Sequence, residues 1–467
     1  MTCQLWTRRH FSGIVAMGKG TSVVMALLAV LAAIVYVEEV QRHPLYVQHV
    51  APLVKEHVAP LYRQAEAQYA AHVAPLVHEH MTPLYEAHVA PLVRSLSSSV
   101  QSSKDAEPQT TQSFSEAWCN EHAASHLTEV KPIEGFHVLC LDASSDKITG
   151  WVYRDGFAST PAVPFTASSS WASFNESVES AANIAPPSTP HEIEYKQPWG
   201  LFTPTGTRMD ALTKYRGIAY VMEGGQFVWP GIRIGHKRVI PNLHGLGDVV
   251  LETLEMTPLV FAVTEFLTND EIDVILDLSM DHLAPSGVTH NDDDVGKPAT
   301  EWRTSTTYFL SSKGHPTLEG IDQRVADLVK VDVSHQEDVQ VLRYQLNQKY
   351  DAHLDYFSID QLTKNPAMVA SLHHGLKNRM ITVFWYMSDV PRGGHTVFPR
   401  AGGAPQPSDF TDCSKGLLST PQKRKVIVFY SMLPSGRGDP YSLHGGCPVL
   451  EGIKYSGNKW IWNKQYA

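Results

Sequence analysis

The segment QKYDAHLDYF places His353 and Asp355 two residues apart. On a strand, residues at that spacing project from one face and can chelate one ion. A third ligand must come from elsewhere in the chain. His444, in GDPYSLHGGCPV, is the best candidate. Two imidazoles and one carboxylate on one face leave the remaining coordination positions open, the facial triad of non-haem Fe(II) oxygenases. Lys454 follows ten residues after His444, past the Glu451-Gly452 turn. An ammonium carried into a barrel is expensive unless an anion meets it. Lys454 is therefore a candidate for holding a cosubstrate carboxylate, with an ordinary surface lysine as the alternative.

These residues need a scaffold. From Pro258 the stretch PLVFAVTEFLTNDEIDVILDLS opens as a strand and continues as an amphipathic helix. Thr268 and Glu271 form a capping box at its start. Alternating apolar stretches follow: STTYFLSS, VQVLRYQL, ITVFWYMSDV, KVIVFYSML and NKWIWNKQY. Period-2 patterns bounded by Gly and Pro predict an antiparallel sandwich or barrel, so the fold class is α+β and mainly β.

Residues 258–466 resemble the catalytic domain of the prolyl 4-hydroxylases, in the Fe(II)/2-oxoglutarate dioxygenase superfamily. The resemblance rests on VLRYQLNQKYDAHLDYF, NRMITVFWYMSDVPRGGHTVFP and VIVFYSMLPSGRGDPYSLHGGCPVLEGIKYSGNKWIW, in that order. It implies a double-stranded β-helix, or jelly roll, with flanking helices. It implies that His353, Asp355 and His444 ligate Fe(II) and that Lys454 pairs with the distal carboxylate of 2-oxoglutarate. Tyr344 matches a tyrosine that hydrogen-bonds the same carboxylate, and Thr382 a residue lining that pocket. Arg379 and Trp460 match positions near the peptide groove, and Arg303 belongs to an RTS segment that supports the register. Cys413 and Cys447 match a disulfide pair beside the site, which leaves Cys119 with Cys140. The family reads GGETxFP where this chain has His395 in place of the glutamate, and His395 is taken as a turn residue after Gly393-Gly394.

The implied activity is that of a 2-oxoglutarate-dependent dioxygenase of the procollagen-proline 4-dioxygenase type. It converts peptidyl proline to 4-hydroxyproline with Fe(II), 2-oxoglutarate, O2 and ascorbate, releasing succinate and CO2. A proline-rich polypeptide is the expected partner. The polar loop SGVTHNDDDVGKPATEW (286–302) is placed to close over it. A same-fold dioxygenase acting on another residue or a small molecule is the first alternative. A non-catalytic binding protein is the second.

The rest of the chain sets the context. Thr21 to Val37 is an uncharged apolar run with Arg8, Arg9 and Lys19 before it and Glu38 and Glu39 after it. This charge order predicts a signal anchor that leaves residues 1–20 cytosolic and the remainder luminal. The expectation is a single-pass type II protein of the endoplasmic reticulum or Golgi, with a cleaved signal peptide or an organelle transit peptide as rivals. Residues 38–94 carry a repeat of the HVAPLV type, with prolines at 44, 52, 60, 75, 83 and 91. Proline at that frequency interrupts a continuous helix, so this is read as a stalk, with self-association through its apolar positions as the sharper option. A polar linker occupies 95–115.

Residues 116–250 form a middle region of unassigned role, with strands expected at VLCLDAS, TGWVYRD and GIAYVME and a second linker at 185–190. The dioxygenase domain is placed at 251–467. Asn175 begins a glycosylation sequon. Four of the five cysteines follow the apolar run, a count that suits two disulfides in an oxidising lumen or four buried thiols. With 38 basic against 48 acidic residues the net charge is -10, which excludes phosphate-backbone binding to nucleic acid as the main task.

Overall fold

The computed structural model describes residues 113–212 and 214–466. The expected anchor (21–37), the stalk (38–94), most of the linker and Cys3 lie outside the described residues. Among the described residues no helix is long and apolar enough to cross a membrane.

The middle region supplies β1 (Phe136–Asp142), β2 (Lys147–Tyr153), β3 (Val163–Ser168), β4 (Gly200–Phe202) and β5 (Arg216–Met222). They form one antiparallel sheet in the order β3-β2-β1-β5-β4. Helix α1 (Glu116–Ala123) precedes the sheet, and α2 (Trp171–Ala182) and α3 (Pro190–Tyr195) lie between β3 and β4. The period-2 rule divides β1 between two cores. Leu139 and Leu141 pack with Phe174 and Val178 of α2. Phe136, Val138 and Cys140 point the other way, into the core that holds Trp229 and Tyr430.

The strands that follow are β6 (Lys237–Leu243), β7 (Gly247–Met256), β8 (Leu259–Val263), β9 (Ala284–Pro285), β10 (Thr306–Leu310), β11 (Val339–Tyr344) and β12 (Tyr350–His353). Next come β13 (Arg379–Tyr386), β14 (Arg392–Gly393), β15 (Thr396–Phe398), β16 (Leu417–Ser419) and β17 (Val426–Tyr430). The last are β18 (His444–Gly446), β19 (Val449–Glu451) and β20 (Lys454–Trp462). Nine of them form the major sheet, in the order β6-β7-β8-β17-β13-β20-β11-β10-β9. The minor sheet runs β12-β18-β15-β16, and β14 pairs with β19.

The apolar alternation explains how the major sheet works. Ile381, Val383 and Trp385 of β13 and Val428 and Tyr430 of β17 face helix α5 (Pro316–Val329), through Leu318, Ile321, Val325 and Leu328. Phe384 and Tyr386 of β13, Phe429 of β17 and Tyr344 of β11 face the minor sheet, where they meet Phe398. This is the mainly-β jelly roll that the resemblance implies. The expected capping box is present on α4 (Asn269–Asp277): Glu271 N–H donates to Thr268 Oγ1 at 3.1 Å, and Thr268 N–H to Glu271 Oε2 at 2.8 Å.

Two expected boundaries fall inside structure. The division at 250/251 cuts β7, and β6 with β7 belongs to the major sheet. The second linker, 185–190, joins α2 to α3, and the residues on either side share one core. Its Thr189-Pro190 step starts a helix: Pro190 takes the N1 position and Thr189 caps it. The disulfides Cys119–Cys140 and Cys413–Cys447 form as expected. Asn175 lies within α2, half-buried.

Candidate active site

His353 ends β12 and His444 begins β18, and the two are register partners. Asp355 follows just beyond β12 and is buried. His353 Nε2 lies 3.7 Å from Asp355 Oδ1, and His444 Nε2 lies 3.6 Å from Asp355 Oδ2. Three ligand atoms, one from each side chain, all lie within 4.8 Å of one another.

The tautomers follow from the hydrogen bonds. His353 Nδ1 lies 2.9 Å from the Asp351 carbonyl, and His444 Nδ1 lies 2.9 Å from the Ser442 carbonyl. A carbonyl only accepts, so each Nδ1 carries the proton and each Nε2 presents its lone pair to the shared point. Burial pushes the His444 imidazole down to about 4, against the pull of Asp355, which keeps it neutral at neutral pH as a ligand must be. Burial works against ionisation of Asp355. The imidazoles of His444 and His353, with the Arg379 guanidinium, nevertheless hold its carboxyl below the ordinary range. The donor set is therefore two neutral imidazoles and one carboxylate, and a divalent iron fits it.

Thr382 donates its hydroxyl to Asp355 Oδ2 at 2.6 Å. The sequence reading put Thr382 in the cosubstrate pocket. In the structure Thr382 is buried on the same face of β13 as Phe384 and Tyr386, and its hydroxyl supports the metal-ligating carboxylate. Tyr350 stacks on the His353 ring with centroids 3.7 Å apart, and the Arg303 guanidinium lies 4.5 Å over the Tyr350 ring.

Lys454 is 1% exposed and stands opposite Tyr344 in the β11–β20 ladder. Its Nζ lies 5.3, 5.1 and 5.6 Å from the ring centres of Tyr344, Phe384 and Tyr386. No carboxylate of the described residues pairs with it, and burial pushes its ammonium down to about 7. A buried cation without a counter-ion calls for an anionic ligand, which fits the distal carboxylate of 2-oxoglutarate. Thr396, which the sequence reading passed over, lies in the same region. It is buried and accepts a 2.8 Å hydrogen bond from Tyr386. Its signal was present in the Gly-Gly-His-Thr-Val-Phe-Pro stretch (393–399), one residue beyond the His395 that drew attention. His395 stands outside the ligand group, and its carbonyl accepts from Cys447 N–H at 2.9 Å.

A cleft of about 810 Å³ opens in front of the triad. Arg379 and Trp460 both line it, as expected. Arg379 is held by a bidentate pair with Glu337 at 2.6 and 2.9 Å, and its guanidinium lies 3.7 Å over the Trp460 ring. Glu337 also accepts from Trp462 Nε1 at 2.7 Å. No sequence pattern marked Glu337, since it precedes β11 as one acidic residue among many.

Residues 339–462 match the family model described as the 2OG-Fe(II) oxygenase superfamily. The probable prolyl 4-hydroxylase 3 of Arabidopsis thaliana is 36% identical over 226 residues, 47% of this chain and 75% of that relative. Prolyl 4-hydroxylase 5 of the same plant is 36% identical over 222 residues, 46% of this chain and 72% of the relative. The viral collagen prolyl hydroxylase of Paramecium Bursaria Chlorella virus-1, in its 2OG complex, is 22% identical over 44% of this chain and 95% of that chain. Its TM-score is 0.31, too low to add weight. At 36% identity over 75% and 72% of those relatives' lengths, the chain belongs to the prolyl 4-hydroxylase family within the 2OG-Fe(II) oxygenase superfamily.

Proposed function

We propose that this chain hydroxylates peptidyl proline at C4, using Fe(II), 2-oxoglutarate and O2. One observation carries the reading: a two-His-one-Asp set whose Nδ1 atoms are both taken by backbone carbonyls stands in one barrel with a buried Lys454 that no carboxylate of the described residues meets.

His353, Asp355 and His444 would hold the iron. When bound, iron with 2-oxoglutarate and O2 supplies the oxidation: the cosubstrate loses CO2 to become succinate, and one oxygen atom enters a substrate C–H bond. The chain does the rest. Ser442 and Asp351 carbonyls fix the imidazole tautomers, and Thr382 fixes the carboxylate. Lys454 receives the far carboxylate of the cosubstrate, beside Tyr344 and Thr396. Arg379, locked by Glu337, and Trp460 wall the cleft where the peptide would lie. The size of the cleft and its aromatic lining suit an extended polypeptide, and a proline-rich segment arrives prebuilt in the polyproline II shape.

A luminal setting fits the two disulfides and the apolar run at 21–37. Ascorbate would restore iron oxidised in uncoupled turnover, and the stalk's repeated apolar positions suit self-association. Incubation with Fe(II), 2-oxoglutarate, ascorbate and a set of proline-rich peptides tests the reading. The expected product carries one added oxygen on proline C4, located by tandem mass spectrometry, and it disappears with His444→Ala. Succinate released without any peptide dependence would move the acceptor to another molecule and defeat the proline reading.

A further inference from the structure

One hairpin lies behind two of the three candidate iron ligands, and the middle region holds that hairpin. Residues 431–439 join β17 to β18 and fold back on themselves. Asp439 N–H donates to the Ser431 carbonyl at 2.8 Å, and Leu433 N–H donates to the Arg437 carbonyl at 2.8 Å. At the base of the hairpin Asp439 is buried, and its carboxylate accepts from Tyr441 N–H at 2.9 Å. The Asp439 carbonyl accepts from the Ser442 hydroxyl at 2.7 Å. The Ser442 carbonyl is the one that fixes His444 Nδ1. Gly438 is packed against Tyr356, the residue after Asp355: a Cβ at Gly438 would stand 2.4 Å from the Tyr356 ring. The placement of the hairpin is therefore felt at both His444 and Asp355.

The tip of the hairpin is seated on two glycines of the middle region. Gly224, just after β5, donates its N–H to the Pro434 carbonyl at 2.6 Å. A Cβ there would come within 2.7 Å of Gly436 N and 2.8 Å of Gly436 Cα. Gly135, just before β1, has φ +78°, and a Cβ there would come within 2.3 Å of Ser435 N. Glu223 N–H donates to the Gly135 carbonyl at 3.0 Å, which ties the two glycine positions together. Arg437 pairs with Glu134 at 3.0 Å on the outside of the same contact. Backbones approach this closely only where glycine leaves room. Close-packed interiors transmit a displacement instead of absorbing it.

We infer that the middle region is a positioning element of the metal centre, with Gly224 the positioning residue that acts through the 431–439 hairpin on His444 and Asp355. This role rests on the reading above, in which those residues hold iron. It gives the middle region a task in the chemistry without placing it in the cleft.

The test measures Fe(II) affinity of the full chain without turnover, in the absence of O2. Gly224 lies outside the left-handed region, so Gly224→Ala acts through space alone. It is expected to weaken iron binding about tenfold, the lower end of what losing a ligand's support costs. Val178→Ala, in the core on the α2 side of the middle sheet, is expected to lower the melting temperature and leave iron affinity unchanged. Unchanged iron affinity in Gly224→Ala, or an equal loss in Val178→Ala, overturns the inference. A second measurement needs no substitution, because coupling between two sites is reciprocal. Adding Fe(II) is expected to slow hydrogen exchange at the Gly224 amide severalfold and to leave the amides that pair β2 with β3 unchanged. Equal Gly224 exchange with and without iron overturns the inference as well. An unsubstituted chain that binds no Fe(II) would instead defeat the functional reading, so the two failures are distinguishable.

Discussion

His353 and His444 are register partners on β12 and β18, although a long stretch of chain separates them. A strand pair therefore sets the distance between the two imidazoles, and a loop residue, Asp355, completes the triad between them. Because Thr382 donates its hydroxyl to Asp355 Oδ2 at 2.6 Å, it helps to set the carboxylate's aim. Thr382→Val keeps the volume and removes the hydroxyl. It should weaken iron binding about 10- to 100-fold, the usual range for a supporting partner of a metal ligand. Iron titration followed by succinate release at saturating iron checks this. Unaltered iron affinity would assign Thr382 to packing alone.

Lys454 gives a pH signature. Burial lowers its ammonium from 10.5 to about 7, so at pH 8 the ligand-free chain holds it mostly uncharged. A carboxylate arriving beside it restores the proton. Binding of 2-oxoglutarate should therefore take up close to one proton at pH 8. It should also weaken about tenfold per pH unit as pH rises above 7. Calorimetry in two buffers of different ionisation heat reads the uptake. The ligand-free protein has the matching stability sign. The unfolded chain keeps that proton up to 10.5 and the folded chain releases it near 7, so this group makes stability rise with pH between the two. Binding without proton uptake would place the carboxylate elsewhere.

Glu337 holds Arg379 and Trp462 at once. Glu337→Ala leaves a half-buried guanidinium without its anion and should cost about 3–5 kcal/mol of stability. It should also raise the KM for peptide more than the KM for 2-oxoglutarate, because Arg379 lines the cleft and Lys454 lies outside its lining. Denaturant melts and the two KM values together decide it.

The Cys413–Cys447 disulfide ties the loop between β15 and β16 to the residue just after β18, the strand that starts with His444. Cys447→Ser opens a loop of 34 residues and should cost about 4 kcal/mol on the chain-entropy account. Thermal melting under non-reducing conditions measures the loss. An unchanged melting temperature would mean that the loop is held by its other contacts.

The middle region and the jelly roll share a core, since Phe136 of β1 is buried in the same cluster as Trp229, Leu328 and Tyr430. Phe136→Ala should cost about 3–5 kcal/mol. Unfolding should stay a single transition, with far-ultraviolet circular dichroism and tryptophan fluorescence coinciding. Two separated transitions would show that the regions fold independently.

Much of this protein was legible in its residues. The alternation in ITVFWYMSDV and KVIVFYSML, the capping box at Thr268 and Glu271, the His-x-Asp spacing and Lys454 are local patterns, and local patterns survive in a linear string. What bears on catalysis across sheets was not legible. Only the β12–β18 pairing brings His444 to His353. Only the β13 register turns Thr382 toward Asp355 and leaves Thr396 to Tyr386. The middle region reads as a separate domain in sequence because its contacts with the jelly roll are long-range, and composition carries no trace of them. Spacing along the chain determined which elements form and which chemistries are available. The tertiary structure decided which of those side chains are buried, and so which charges must be met by iron, by a cosubstrate or by each other.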